Sequence, residues 1–227
     1  MKVKGVMSVV WVMVFAISSI SFANQIDPKA TKFVPDDLVL RGGLKTLHDQ
    51  YYASKSHQEQ TIIVEMITKN TEPLRFDVLM DIVMFDLRGA DRYGQSEFTS
   101  PVARLTALKE VAKTGNDKYA PAYLSIVKFD GSVQIRIEAS RALGKFKNDD
   151  VVNMIINLVR FDLNHPNFRE DNEKMFNDNR VLEALVQSMG EIGNPRFFPA
   201  LLQIVSKRNH REETIQAAWR AMEKLEW

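Results

Sequence analysis

Apolar positions along the chain follow a helical period from about residue 57 onward. They recur at i, i+3, i+4 and i+7, which is typical of amphipathic α-helices with one buried face. The helical segments come in pairs, and the turns inside three of the pairs read KTGNDK, KFKNDD and EIGNPR. In such turns Gly supplies a left-handed residue after the first helix, and Asn or Asp caps the second. The pattern therefore predicts a series of helical hairpins.

The hairpins are copies of one pattern. Its defining positions in one hairpin are Ala139, Leu143, Asn148, Asp149, Val151, Ile155, Ile156, Leu158 and Val159. Similar residues occupy these places 32 residues earlier and 46 residues later, and a fainter copy precedes the earlier one by 44 residues. The predicted hairpins are about 57–86, 101–130, 133–162 and 180–208, with a half repeat at 211–227. Since one hairpin cannot bury both of its apolar faces, we expect the copies to stack into an all-α fold, a right-handed α-solenoid.

Two of the hairpins carry a pattern that is similar to a known family. The stretches IRIEASRALGKFKNDDVVNMIINLV and VLEALVQSMGEIGNPRFFPALLQIV resemble bacterial HEAT-like repeats, of the kind also found in phycobilisome lyases. The resemblance extends over about 100–227, is fainter over 57–86 and does not include 24–56, which we interpret as an N-terminal capping segment. It implies a HEAT/armadillo-like architecture and binding of another protein, without naming the partner.

The beginning of the sequence predicts export. Lys2 and Lys4 precede the uncharged run GVMSVVWVMVFAISSI, and SFA then places small residues before Asn24. This order is typical of a cleavable signal peptide at 1–23, cut between Ala23 and Asn24, and indicates a periplasmic or secreted protein. The alternative is an uncleaved anchor helix, although the apolar run is shorter than the roughly 20 residues that a membrane span prefers. The sequence has no cysteine, so an exported form is held together without disulfides.

The charged residues and histidines argue against several classes of function. Lys plus Arg number 30 against 29 for Asp plus Glu, so we expect no general affinity for nucleic acid or for an anionic membrane. Thiolate metal sites are excluded, and the four histidines do not have the spacing of metal ligands on one helical face. No nucleophile or phosphate-binding motif is present. We therefore expect a non-enzymatic protein without a cofactor or metal.

Two insertions interrupt the repeat, each after the second helix of a hairpin. They are LRGADRYGQSEFTS, at Leu87–Ser100, and LNHPNFREDNEKMFNDN, at Leu163–Asn179. Insertions in repeat proteins usually form loops on one edge, which is often the binding edge. Both combine Arg with aromatic residues, as interface hot spots do. The candidate partner-binding residues are Arg92, Tyr93, Phe98, Phe168, Arg169 and Phe176. The alternative is a pair of passive surface loops.

The dipeptide Phe-Asp recurs in the repeat register where three second helices end. It occurs at Phe85-Asp86, Phe129-Asp130 and Phe161-Asp162. In one interpretation Asp86, Asp130 and Asp162 form a row of carboxylates on the repeat edge that takes a basic partner. In the other, each Phe fills the groove between repeats and each Asp caps the next turn, which accounts for the Asp without a ligand.

These patterns together favour a periplasmic binding or scaffold protein that holds another protein on its second helices and insertions. Two alternatives stay open. One is a structural envelope component that assembles with itself through the closing stretch WRAMEKLEW, which contains Trp219 and Trp227. The other is a lyase-like or chaperone-like role, which only the family resemblance suggests.

Overall fold

The computed structural model of the protein is built from α-helices. It describes residues 42–93, 99–163, 172–206 and 210–227, and these ranges contain no β-strand. The expected all-α fold is confirmed for this part of the chain. The predicted signal peptide and the first part of the predicted capping segment, 24–41, lie outside the described residues.

Ten α-helices follow one another in the described ranges. They are α1 (Gly42–Ala53), α2 (His57–Lys69), α3 (Arg75–Tyr93), α4 (Pro101–Ala112), α5 (Ala120–Phe129), α6 (Val133–Leu143), α7 (Asp149–Asn157), α8 (Asn172–Ile192), α9 (Phe198–Ser206) and α10 (Glu212–Glu223). Short 3₁₀ turns, Asp117–Tyr119 and Pro195–Phe197, lead into α5 and α9, and α7 continues as a π-helical segment, Leu158–Leu163. No helix in the described ranges is both long and apolar enough to cross a membrane.

The helices fall into two sets, which we call first helices (α2, α4, α6, α8 and α10) and second helices (α3, α5, α7 and α9). Each first helix packs against the next first helix along the chain. Among the second helices, α3 contacts α5, α5 contacts α7, and α7 contacts the 3₁₀ turn before α9. A single cluster of buried apolar side chains lies between the helices. The capping segment contributes α1, which packs on α2.

Small residues let the first helices approach one another closely, as their alanines predict. Ala107, Ala139 and Ala218 are fully buried. On α8, a Cβ atom added to Gly190 would lie 3.0 Å from the Cα of Ala221 on α10. That distance is shorter than ordinary carbon contacts, so a larger residue at this position would push α8 and α10 apart.

Serine caps three of the first helices. The side chains of Ser56, Ser100 and Ser132 each accept a hydrogen bond from the backbone N–H three residues ahead. Such a bond satisfies one of the N–H groups that have no partner inside the helix. Each of these three helices, α2, α4 and α6, therefore begins at a residue that its cap defines.

Asparagine side chains cap the segments that begin three of the second helices. Asn116, Asn148 and Asn194 accept hydrogen bonds from the backbone N–H two or three residues ahead. Gly115 and Gly193 precede two of these caps with φ of 56° and 73°, a conformation that other residues adopt only with strain. The turn chemistry predicted from the sequence is present at these positions.

A buried ion pair links one first helix to both of its neighbouring second helices. The guanidinium of Arg104 on α4 contacts a carboxylate oxygen of Asp130, the residue after α5, and both side chains are almost fully buried. The same guanidinium donates through Nε and Nη2 to the backbone oxygen of Val83 on α3, at 3.2 and 2.9 Å. The other Asp130 oxygen, Oδ1, accepts from the N–H of Ser132 at 2.8 Å. One cluster of polar contacts thus joins α3, α4 and the start of α6.

The next hairpin repeats part of this arrangement. Arg136 lies 32 residues after Arg104, and its Nε donates at 2.7 Å to the backbone oxygen of Val127, which lies 44 residues after Val83. These intervals are the spacings of the repeat itself. The two hairpins therefore attach to the preceding second helix through the same side-chain-to-backbone contact.

Both insertions contain more helix than expected. The first insertion begins inside α3, which continues to Tyr93, and the second ends inside α8, which starts at Asn172. The expectation that both insertions are loops throughout is therefore wrong for 87–93 and 172–179. A helix that is already formed extends at small cost per added residue, whereas a new helix needs a costly nucleus. Residues 94–98 and 164–171 lie outside the described part of the chain.

Replacing Asp130 by Ala is expected to lower the free energy of unfolding by about 3–5 kcal/mol, because it leaves the Arg104 guanidinium buried without its counter-charge. The measurement is urea unfolding followed by circular dichroism. Lys113→Ala is the control, since it removes an exposed ion pair with Glu110 and should cost less than about 1 kcal/mol. Equal losses for the two variants would contradict the assigned role of the buried pair.

Candidate interaction surface at the ends of the second helices

The insertion residues predicted to bind a partner lie beyond what the structure describes in detail. Arg92 and Tyr93 are in the last turn of α3 and Phe176 is in α8, but their side chains are not described, nor are those of Asp86 and Asp162. The remaining three candidates lie outside the described residues altogether: Phe98, Phe168 and Arg169. Their role stays a prediction.

The Phe-Asp dipeptides place two phenylalanine rings on the surface. Phe85, inside α3, and Phe129, at the end of α5, occupy equivalent repeat positions and are 39% and 47% exposed. The expectation that Phe fills the groove between repeats is therefore wrong for these two residues. Asp130 is only 5% exposed and accepts from the Ser132 N–H, which is the geometry of the capping interpretation. In the described dipeptides the ring faces solvent, while the Asp130 carboxylate faces inward.

Each exposed ring contacts one neighbouring side chain. The Phe85 ring lies 4.9 Å from the ring of Tyr52 on α1, centroid to centroid. The Phe129 ring lies 5.2 Å from the Nζ of Lys128, within the range of a cation–π contact. Both rings therefore make a contact within the protein.

A basic residue precedes the phenylalanine in two of the three dipeptides. Lys128 and Arg160 occupy equivalent positions 32 residues apart, and both are exposed. We call Phe85, Lys128, Phe129 and Arg160 the aromatic edge. Phe85 lies in the middle of α3, Lys128 and Phe129 lie at the carboxyl end of α5, and Arg160 lies in the π-helical segment after α7.

Another exposed apolar patch does not recur in the repeat. Ile62 and Met66 lie one turn apart on α2 and are about half exposed. Their equivalents on α4, 44 residues later, are Thr106 and Glu110. The aromatic edge differs because its apolar position recurs as Phe in successive hairpins, and we therefore take it as the candidate site.

Two buried carboxylates one turn apart on α3 form a separate polar cluster. Asp77 accepts a hydrogen bond from the Tyr119 hydroxyl at 2.8 Å and lies 2.6 Å from the Lys118 Nζ. Asp81 accepts from the Tyr52 hydroxyl at 2.8 Å and lies 3.4 Å from the His48 Nε2. Both carboxylates are thus engaged by side chains of the neighbouring elements.

The Asp77 side of this cluster keeps a phenol protonated. Burial raises the pKa of Tyr119, and its hydrogen bond to Asp77 raises that pKa further. A protonated hydroxyl is a donor and not a general base, so the cluster serves to join α1, α3 and the turn before α5. In the described ranges no three His, Cys, Asp or Glu side chains meet in a group able to hold a metal ion.

The contact between Lys118 and Asp77 also has an equivalent in a later hairpin. Arg196 occupies the corresponding place in the turn before α9, contacts the side chain of Asn153 on α7 and lies 3.4 Å from Asp149. Asn153 is the equivalent of Asp77. A basic residue in the turn thus reaches back to the preceding second helix in two hairpins.

A sequence signal for the buried ion pair exists, but the apolar periodicity does not reveal it. It is the spacing Ser-x-x-x-Arg, at Ser100 to Arg104 and again at Ser132 to Arg136. A polar residue four places after a helix cap looks like part of a solvated face. Only its recurrence at the repeat interval marks it as a structural contact.

Comparison with known proteins assigns the chain to no group. No family model matches the sequence, and no curated protein matches it. The function of the aromatic edge must therefore be inferred from its exposure, its charge and its recurrence in the repeat.

Replacing Phe129 by Ala is expected to change the free energy of unfolding by less than about 1 kcal/mol, because nearly half of the residue is exposed. Phe146→Ala is the matched control. Phe146 is fully buried, and its ring centroid lies 5.7 Å from that of the Tyr123 ring. Removing this ring should lower the free energy of unfolding by about 3–5 kcal/mol in the same urea titration. If the Phe129 variant lost as much as the Phe146 variant, Phe129 would belong to the core.

Alkaline pH is expected to destabilise the fold through Tyr119 and Tyr123. Burial raises the pKa of both hydroxyls, so the folded protein keeps protons that the unfolded chain loses above about pH 10. The stabilisation from these groups is fully present below about pH 10 and is lost as the pH rises above it. Urea titrations from neutral pH to about pH 11.5 should show this fall, and Tyr123→Phe should reduce its slope. An unchanged slope in that variant would contradict the assignment.

Proposed function

We propose that the protein is a non-enzymatic, HEAT-like α-solenoid that binds another protein along the aromatic edge. The series of contacts between successive first helices supports the solenoid architecture. The recurrence of the Arg104 and Arg136 contacts at the repeat spacing supports it as well, because stacked repeats make the same contact at each junction.

The observation that carries the binding function is the exposure of Phe85 and Phe129 at equivalent positions of neighbouring second helices. Isolated exposed apolar residues are common and need no explanation. Phe85 and Phe129 recur as exposed rings at the same position of adjacent repeats, and aromatic residues are enriched at protein interfaces.

The helical parts of the two insertions support binding of a partner at the same edge. In α3 the helix continues eight residues beyond Phe85, and this corresponds to about 12 Å of helix at 1.5 Å per residue. α8 likewise starts eight residues before the predicted hairpin at 180–208, at the edge where second helices finish and first helices start. The candidate residues Arg92 and Tyr93 belong to the α3 extension.

We place this function in the periplasm, or outside the cell, because of the signal peptide that the sequence predicts at 1–23. The partner is then an exported or envelope protein. The absence of cysteine suits this compartment, because such a fold does not depend on oxidation.

Self-assembly is a second candidate, and the closing residues favour it. Trp219 is 52% exposed on α10, and Trp227 is 81% exposed while its ring lies 5.3 Å from that of Phe198. A second copy that covered these rings would bury a large apolar area. Static light scattering over a range of concentrations should then show association that Trp219→Ser weakens.

The binding function is tested by photo-crosslinking in intact cells. Benzoylphenylalanine replaces Phe85 or Phe129 in one pair of variants, and exposed Lys113, in the turn at the opposite edge, in a control variant. One and the same protein should be captured from positions 85 and 129 and not from position 113. Equal capture from all three positions, or capture from neither edge position, would contradict the proposal. Capture of the chain by itself would favour self-assembly.

A further inference from the structure

One apolar repeat position on the second helices becomes more exposed from the first hairpin to the last. Met80 on α3 is fully buried, and Leu124 on α5 is 6% exposed. Ile156 on α7 is half-buried, and Leu202 on α9 is 46% exposed. The second helices contact one another in chain order, and in the described ranges no second helix follows α9. Leu202 therefore lies on a face that is covered in the earlier hairpins.

Two further apolar residues belong to this face of α9. Phe198 and Val205 lie four residues before and three residues after Leu202, so the three side chains share one side of the helix. Phe198 and Val205 are half-buried. The equivalent residues of α7, Val152 and Val159, are fully buried. The face thus extends over two turns of α9.

Trp219 on α10 loses its cover in the same way among the first helices. Its equivalents in α4, α6 and α8 are fully buried: Leu108, Ser140 and Val186. The backbone oxygen of Ser140 accepts a hydrogen bond at 2.7 Å from the hydroxyl of Ser188, which belongs to the next first helix. This repeat position therefore faces the next first helix. Within the described part of the chain α10 has no such neighbour, and Trp219 is 52% exposed.

These exposed residues form what we call the terminal face: Phe198, Leu202, Val205, Trp219 and Trp227. α9 packs against α10, and the Trp227 ring lies 5.3 Å from the Phe198 ring, so the residues belong to the same end of the row of hairpins. Repeat arrays stay soluble when their end units have a polar outer face. An end that exposes apolar residues instead marks an interaction surface.

α1 gives the other end of the described hairpins a polar surface. It packs on α2, and its exposed side chains include Lys45, Thr46, Asp49 and Gln50. Lys45 and Asp49 pair with each other at 2.9 Å. If copies of the chain met head to tail, the apolar terminal face would lie against this polar surface. The terminal face of a second copy offers the better match.

The charge of α9 also permits contact with its own copy. A two-fold axis brings each residue near the axis close to the same residue of the other copy, so a charged residue there would meet a like charge. α9, Phe198–Ser206, contains no charged residue. It can therefore lie beside the α9 of a second copy without repulsion.

We propose that two copies of the protein pair through their terminal faces about a two-fold axis, with α9 packed against α9. Because each copy uses its terminal face in this contact, the assembly closes at two copies and does not extend into a filament. This inference rests on self-assembly, the second candidate function, and specifies its geometry. It does not use Phe85 or Phe129, which belong to earlier hairpins.

Analytical ultracentrifugation of the purified protein over a range of concentrations should show monomer and dimer and no larger species. Leu202→Asp should weaken the dimer by about tenfold or more, because it brings two carboxylates into an apolar contact. Ile62→Asp is the matched control, since Ile62 is 50% exposed on α2 and should not take part. The inference is overturned if wild type stays monomeric, if it assembles beyond the dimer, or if the two variants behave alike.

Single cysteines test the contact without charging it. The sequence contains no cysteine, so one introduced cysteine can form a disulfide only with the same position of a second copy. At least one of Phe198→Cys, Leu202→Cys and Val205→Cys should form a covalent dimer under mild oxidation. Its yield should exceed that of Ile62→Cys several-fold, because a disulfide requires Cα atoms about 4–7 Å apart. Yields from all three α9 variants that do not exceed the control would overturn the contact between the two α9 helices.

The dimer and the binding function at the aromatic edge fail separately. If the protein is monomeric and photo-crosslinking from positions 85 and 129 captures one partner, the binding function stands and the proposed dimer is wrong. If the dimer forms and those two positions capture nothing, the dimer stands and the binding function is wrong.

Discussion

The buried pair of Arg104 and Asp130 is the interaction on which the arrangement of the hairpins depends. A guanidinium and a carboxylate lose their hydration when they are buried, and they recover this free energy only if every group finds a partner in good geometry. Here the guanidinium reaches both the carboxylate and the Val83 oxygen, and the carboxylate also accepts the N–H that starts α6. The placement of α3, α4 and the start of α6 is therefore coupled to one pair of side chains.

This coupling also explains why the neighbouring ring is exposed. Asp130 follows Phe129 directly, and successive residues at the end of a helix point in different directions. Because Asp130 is drawn inward by Arg104, the ring of Phe129 is directed toward solvent. Stability and recognition are thus divided between adjacent residues of one dipeptide, and a substitution at the ring can alter binding without weakening the junction.

Much of the fold could be predicted from the sequence, because its strongest signals are periodic. The apolar spacing predicted an all-helical chain, and Asn116, Asn148 and Asn194 cap helices where the turns indicated. The exposure of Phe85 and Phe129 was not predicted, because hydrophobicity favours burial. At Phe129, the pull of Arg104 on the adjacent Asp130 is also a tertiary effect that the periodicity does not show. The helical turns at 87–93 and 172–179 were also missed, since their polar residues and Gly89 are typical of loops.

The contact between Arg104 and Val83 has a consequence for how such a chain changes over evolutionary time. The acceptor is a main-chain oxygen, and that oxygen is the same whichever side chain its residue carries. The preceding hairpin is therefore free to diverge in sequence while the junction survives. A hairpin that carries its own Arg and Asp can also be duplicated, or moved next to an unrelated helix, and still find an acceptor there. Junctions of this kind allow an array to lengthen or shorten by whole hairpins, while the residues exposed along its edge acquire new specificities.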